Sequence, residues 1–183
     1  MHTFTSPGAR DAFRFADIAH DGQVRRYTGR PYIEHPVGVA ILVERFDHDE
    51  AMVMAALLHD VKEDCGVTDE VLVREFDLEV ADLVDDLSNV STSAGGNRAA
   101  RKAADRAHTA RARPKAKTIK ALDFTHNAPS IVLHDPRFAR VYLPEKALLL
   151  AVLDDASDLR AVSLAWRVHA RGCERVGIPI HKG

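Results

Sequence analysis

The chain has 183 residues, 46% of them apolar, with 25 basic and 27 acidic side chains, ten histidines and two cysteines. Length and apolar content suit one globular domain over residues 1–183 and exclude a disordered chain, and a net charge of −2 does not mark a polycationic nucleic-acid binder. That near-neutrality is regional cancellation: residues 1–94 carry 8 basic and 19 acidic groups, residues 95–120 carry 9 and 1, and residues 121–183 carry 8 and 7.

Helical spacing dominates from the start, and no segment alternates long enough to predict a sheet. Ser6 before Pro7 signals a helix start, with Phe13, Ala16 and His20 recurring at helical intervals. A turn-rich stretch over 21–31 follows, and His35-Pro36 opens a second helix with Val37, Ala40, Ile41 and Val43 on its apolar face. Residues 51–63 read as a third helix, apolar all round at its centre and therefore buried. Thr68 with Asp69 and Glu70 starts a short helix to Phe76, and Val80, Leu83, Val84 and Leu87 mark a fifth. Residues 88–97, rich in Ser, Gly and Asn, read as a loop. A basic helix over 97–110 comes next, then helices over 115–127, 144–154 and 157–171, the last stopped by Gly172. The expectation is an all-α fold of eight or nine helices.

Cys65 and Cys173 form no CxxC pair, so there is neither a disulfide framework nor a thiolate metal knuckle, and a cytoplasmic location is expected. The longest apolar runs, 51–58 and 147–153, fall short of the roughly 20 residues of a membrane span.

Four His-Asp dipeptides occur, and only His59-Asp60 closes an all-apolar helix, where an ionised carboxylate is costly unless paired or metal-bound. Glu63 and Asp64 follow four residues after His59 and Asp60, so the end of a buried helix crowds three carboxylates, whose repulsion asks for a cation. His35 and Asp123 can complete a coordination shell, and two imidazoles with two carboxylates suit Mn²⁺, Fe²⁺ or Zn²⁺. Each residue also has a plain alternative: a capping His35, a solvated Asp123, a helix end emerging into water at His59-Asp60.

Taken together, these segments resemble a known family. Residues 19–36, AHDGQVRRYTGRPYIEHP, are similar to the opening motif of the RelA/SpoT-type alarmone hydrolases, a branch of the HD-domain metal-dependent phosphohydrolases. Residues 55–64, AALLHDVKED, resemble their HD…ED motif, Arg101-Lys102 a conserved basic pair, and residues 120–127 the segment with the last metal ligand. The resemblance implies an all-helical HD fold holding one Mn²⁺ through His35, His59, Asp60 and Asp123. It further implies that Glu63 and Asp64 orient or deprotonate the attacking water, and that Arg25 or Arg26 and Asn127 line the nucleotide pocket. The implied reaction removes pyrophosphate from the 3′ position of guanosine tetra- or pentaphosphate, as in the stand-alone hydrolases that lack a synthetase domain. Three departures stand out: Cys65 replaces the usual Thr, Lys120-Ala121-Leu122-Asp123 replaces Lys-Leu-Ala-Asp, and Ala128-Pro129-Ser130 follows Asn127.

The basic segment offers Arg98, Arg101, Lys102 and Lys120 to the remote phosphates, and Arg140 and Tyr142 are candidates for the base or ribose. The expected partner is a small nucleotide, with no nucleic acid or membrane, and the oligomeric state is left open. Alternatives are the adenosine counterpart, another phosphorylated nucleotide such as NADPH, or an HD module that senses alarmone without cleaving it. Trp166 reads as core, and His108, His134, His169 and His181 as surface residues.

Overall fold

The computed structural model describes residues 3–92 and 94–180, and these form ten helices with no strand among the described residues. The chain divides into two compact units between Ser88 and Asn89.

In the first unit the helices are α1 (Pro7–Ala19), α2 (Glu34–Val43), α3 (Glu50–Leu58), α4 (Val61–Cys65), α5 (Asp69–Glu75) and α6 (Leu78–Leu87). Helix α3 is its centre: Met52 to Leu58 are all buried, and α1, α2 and α6 pack against it. Side-chain caps set the starts, with Ser6 accepting from Ala9 N, Asp49 from Met52 N and Asp77 from Val80 N. Between α1 and α2 the chain folds back on itself. Arg25 N donates to Arg30 O at 2.8 Å and Tyr32 N to Gln23 O at 3.0 Å, with Gly22 and Gly29 supplying the positive φ angles of the turns. That closure delivers Tyr32 and His35 to the start of α2.

The expected single helix over 51–63 is broken at His59-Asp60 into α3 and α4. The i→i+4 spacing survives the break, since Asp64 N still donates to Asp60 O at 2.9 Å.

In the second unit the helices are α7 (Arg98–Arg111), α8 (Pro114–His134), α9 (Pro136–Leu150) and α10 (Leu159–Val176). Helices α8, α9 and α10 pack on one another around Phe124, Leu143, Leu150 and Cys173, and Trp166 packs against that core, as expected. Two proline readings change. Helix α8 runs seven residues past the expected 127, because Pro129 removes one N–H while Phe124, Ala128 and Val132 continue the buried stripe. Helix α9 starts at Pro136, not 144: Asp135 caps it by accepting from Phe138 N at 3.0 Å, leaving Pro144 inside. Gly172 does not stop the last helix, which ends at Gly177 with φ 68°. A Cβ at Gly172 would lie 3.3 Å from Leu143 and Val132, so its glycine serves close packing of helices.

Candidate active site

His59 ends α3 and His35 begins α2, both almost fully buried at 3% and 1% exposure. His59 Nδ1 donates to the Ala56 carbonyl at 2.8 Å, which leaves Nε2 as the bare lone pair. That nitrogen lies 3.2 Å from His35 Nε2 and 3.1 Å from Asp60 Oδ2, while His35 Nε2 is 3.6 Å from the same oxygen. Two imidazole nitrogens and a carboxylate oxygen therefore converge within a few ångströms in a buried place. Three atoms so placed, with metal–ligand bonds of about 2.0–2.2 Å, can surround one divalent cation of the borderline class. The break between α3 and α4 turns Asp60 into this cluster.

Tyr32, which sequence reasoning passed over, donates its hydroxyl to Asp60 Oδ2 at 2.7 Å. Burial, and then the negative charge of Asp60, push the Tyr32 phenol well above its ordinary range, so it stays a donor throughout. His20 lies tilted against its ring and His35 meets it edge-on. Arg25 lies over Tyr32, 5.7 Å from the ring centroid, whereas Arg26 lies over Tyr27; of the two candidates, Arg25 is on the side of the carboxylate cluster.

On α4, one turn beyond this cluster, Glu63 and Asp64 both reach solvent. Protein packed around Asp64, and then the Asp60 charge, raise its pKa above the usual carboxylate value; Glu63 adds to the rise, while the Tyr32 hydroxyl and His20 oppose it. A carboxyl so shifted is a better proton acceptor than an ordinary aspartate. Gln23 braces this turn, donating to Asp64 O at 3.2 Å and holding His20 Nδ1 through its own Oε1 at 2.9 Å. Cys65, where the resembled family has Thr, sits 3.3 Å from His20 Nδ1.

In the second unit Asp123 stands on α8, its Oδ1 accepting from Asn127 Nδ2 at 2.7 Å, so these two candidates are joined. A cavity of about 260 Å³ in this unit is lined by residues of α7, Lys120 of α8 and residues of α9, and it takes in four expected substrate contacts, Arg98, Lys102, Lys120 and Tyr142. Arg98 is clamped by Glu145, Nε to Oε1 at 2.7 Å, and Lys102 by Asp105 at 3.0 Å. Asp105 also accepts from Ser91 N at 3.0 Å, which ties the loop after α6 to α7. Arg101 does not line this cavity but bonds Gly96 O at 2.6 Å, and Arg140 is exposed outside it. Lys146 and Arg106, neither nominated from sequence, do line it; their only sequence signal is helical spacing from Tyr142 and Lys102. The expectation that His169 lies at the surface is corrected: it is fully buried, with Nε2 at 3.1 Å from Leu143 O, because α10 runs on past Gly172. His181 lies outside the described residues.

No helix among the described residues is long and apolar enough to cross a membrane. Compared with known proteins, the chain is 41% identical over 158 residues to a probable GTP pyrophosphokinase of Mycobacterium leprae, a match covering 86% of this chain and 20% of that protein. It is 50% identical over 72 residues to the guanosine-3′,5′-bis(diphosphate) 3′-pyrophosphohydrolase of Haemophilus influenzae, over 39% of this chain and 10% of the relative. The chain thus spans a fifth or less of the length of these relatives. Among solved structures, a metazoan orthologue of SpoT, described as hydrolysing ppGpp, shares the fold with a TM-score of 0.76 at 24% identity, over 91% of this chain and 97% of that one. The HD domain profile matches residues 12–125, through both His35 and the His59-Asp60 pair, and the chain belongs to the HD domain family.

Proposed function

We propose that the chain is a metal-dependent hydrolase that removes pyrophosphate from the 3′ position of guanosine tetra- or pentaphosphate. The observation that carries the reading is the buried convergence of His35 Nε2, His59 Nε2 and Asp60 Oδ2 beside a solvent-reaching Glu63-Asp64 pair. Asp123, the acidic residue of the 120–127 motif, is the proposed fourth ligand, and Mn²⁺ the proposed metal. When bound, a divalent cation supplies Lewis acidity and neutralises phosphoryl charge.

The residues of this chain supply the rest. Ala56 O fixes the His59 tautomer, and Tyr32 holds Asp60 with the oxygen turned to the histidines. Asp64, its pKa raised, takes the proton from the attacking water, and Glu63 beside it orients that water. Arg25 meets the substrate on the side of Tyr32, and Asn127 holds Asp123. Arg98, Lys102 and Lys120 face the remote phosphates and Tyr142 the sugar or base. Four homologues that carry the name guanosine-3′,5′-bis(diphosphate) 3′-pyrophosphohydrolase support the choice of substrate. A cytoplasmic location is part of the reading, in keeping with the free Cys65 and Cys173.

The test is a substrate panel with Mn²⁺: guanosine tetraphosphate, its adenosine counterpart and NADPH, with products identified. Pyrophosphate release fastest from the guanosine compound supports the proposal. Faster attack on the adenosine compound or on NADPH reassigns the substrate, and tight binding without any release makes the chain a sensor.

A further inference from the structure

The cavity of the second unit holds a lysine that the proposed reaction leaves without a role. Phe138, Tyr142 and Lys146 recur four residues apart on α9 and Glu145 follows Tyr142 by three, so a single face of that helix forms one wall. On this wall Lys146 is half-buried, its ammonium 5.3 Å from the centroid of the Tyr142 ring, which is itself 9% exposed. A cation on an aromatic face is held on one side without being neutralised.

The two carboxylates of the cavity are each paired with another of its cations. Glu145 grips Arg98 through both oxygens, at 2.7 and 2.8 Å, and Asp105 takes Lys102 and the Ser91 amide. Among the described residues Lys146 enters no ion pair. Its amine is pushed down to about 8, by burial first; the charge of Asp123 opposes this most, Lys120 and Lys102 add to the lowering, and Glu145 opposes it least. Three ammonium groups that feel one another, beside carboxylates already committed, gain most from a ligand bearing more than one negative charge. A lysine ammonium is a compact point charge that suits a phosphate oxygen. A solvated surface lysine would lie neither against a buried tyrosine nor within the field of two others.

We propose that Lys146, acting with Lys102 and Lys120, is a specificity-determining residue that seats the 5′-phosphate chain of the substrate and selects a 5′-diphosphate over a 5′-monophosphate. This rests on the function proposed above: with the 3′-diphosphate taken to the metal ligands, the anionic groups left to recognise are those at the 5′ end.

Two measurements on the whole chain test it. With metal bound, steady-state kinetics compare guanosine 5′-diphosphate 3′-diphosphate with guanosine 5′-monophosphate 3′-diphosphate. Lys146→Ala should raise KM for the first about tenfold more than for the second, the weight of one charge-assisted hydrogen bond, and Lys146→Arg should restore most of the difference. Equal changes on the two substrates overturn the proposal. Separately, calorimetry with inorganic pyrophosphate in the presence of chelator probes the seat without turnover. Wild type and His59→Ala should bind alike and Lys146→Ala about tenfold more weakly; unchanged affinity in Lys146→Ala overturns the proposal even if turnover falls. If no substrate is hydrolysed, the functional reading fails and the pyrophosphate titration still decides the seat.

Discussion

The two units of this protein use opposite electrostatics. Residues 1–88 carry 8 basic and 19 acidic groups, and residues 89–183 carry 17 and 8. In the first unit, carboxylates are brought close to one another and to two imidazoles, the arrangement on which the proposed metal site rests. In the second, Lys102, Lys120 and Lys146 line one cavity, with Lys146 against Tyr142, while the acids there, Asp105 and Glu145, pair with Lys102 and Arg98. The lesson is that like-charge crowding at a buried place, of either sign, marks where a ligand of the opposite sign belongs.

The comparison can be broken most forcefully in the acidic unit. His59→Ala removes both the Nε2 donor and the bond to Ala56 O, and is expected to abolish metal binding and to lower turnover by more than about 1,000-fold, as read by metal analysis and a pyrophosphate-release assay. Replacing Glu63 and Asp64 together by Gln and Asn should lower turnover about 10²- to 10⁴-fold while the metal stays bound. Unchanged turnover would remove the pair from the mechanism. Tyr32→Phe deletes only the hydroxyl on Asp60 and should cost about 10- to 100-fold in metal affinity, measured by competition with a chromophoric chelator.

The smallest effect belongs to the basic unit and concerns stability. The Asp105 carboxyl is buried, which by itself would raise its pKa, but the bonds from Lys102 and Ser91 outweigh burial and hold it below the usual range. A lowered carboxylate contributes stability that is fully present above the ordinary aspartate pKa and is lost as pH falls through the lowered value. Asp105→Asn should therefore destabilise the protein by about 1–3 kcal/mol near neutrality, with the gap from wild type shrinking in acid. Denaturant melts at pH 7 and below pH 4 measure both; a gap independent of pH would mean that the charge is not what the site uses.

The legible part of this molecule was the part whose chemistry is compressed into short motifs. His35-Pro36, His59-Asp60 and Glu63-Asp64 lie within local segments, and the helix cap at Ser6 follows the same local logic. What sequence reasoning missed depends on tertiary packing. Pro129 and Pro144 look like helix boundaries, yet buried stripes on either side outweigh one lost hydrogen bond each. Gly172 looks like a stop and is a point of close helix contact. Tyr32 sits inside the opening motif, but its bond to Asp60 spans 28 residues. Lys146 had no motif at all, and only the folding of α9 against α7 gives it a cavity.

The central claim is that the donor set around His35, His59 and Asp60 serves hydrolysis of the 3′-diphosphate. The most direct measurement is pyrophosphate release from guanosine tetraphosphate by the protein loaded with Mn²⁺, stripped by chelator and then reloaded. The account predicts release in the first and third states and none in the second. Release that persists at the same rate in the stripped protein, or none from the loaded one, would contradict it.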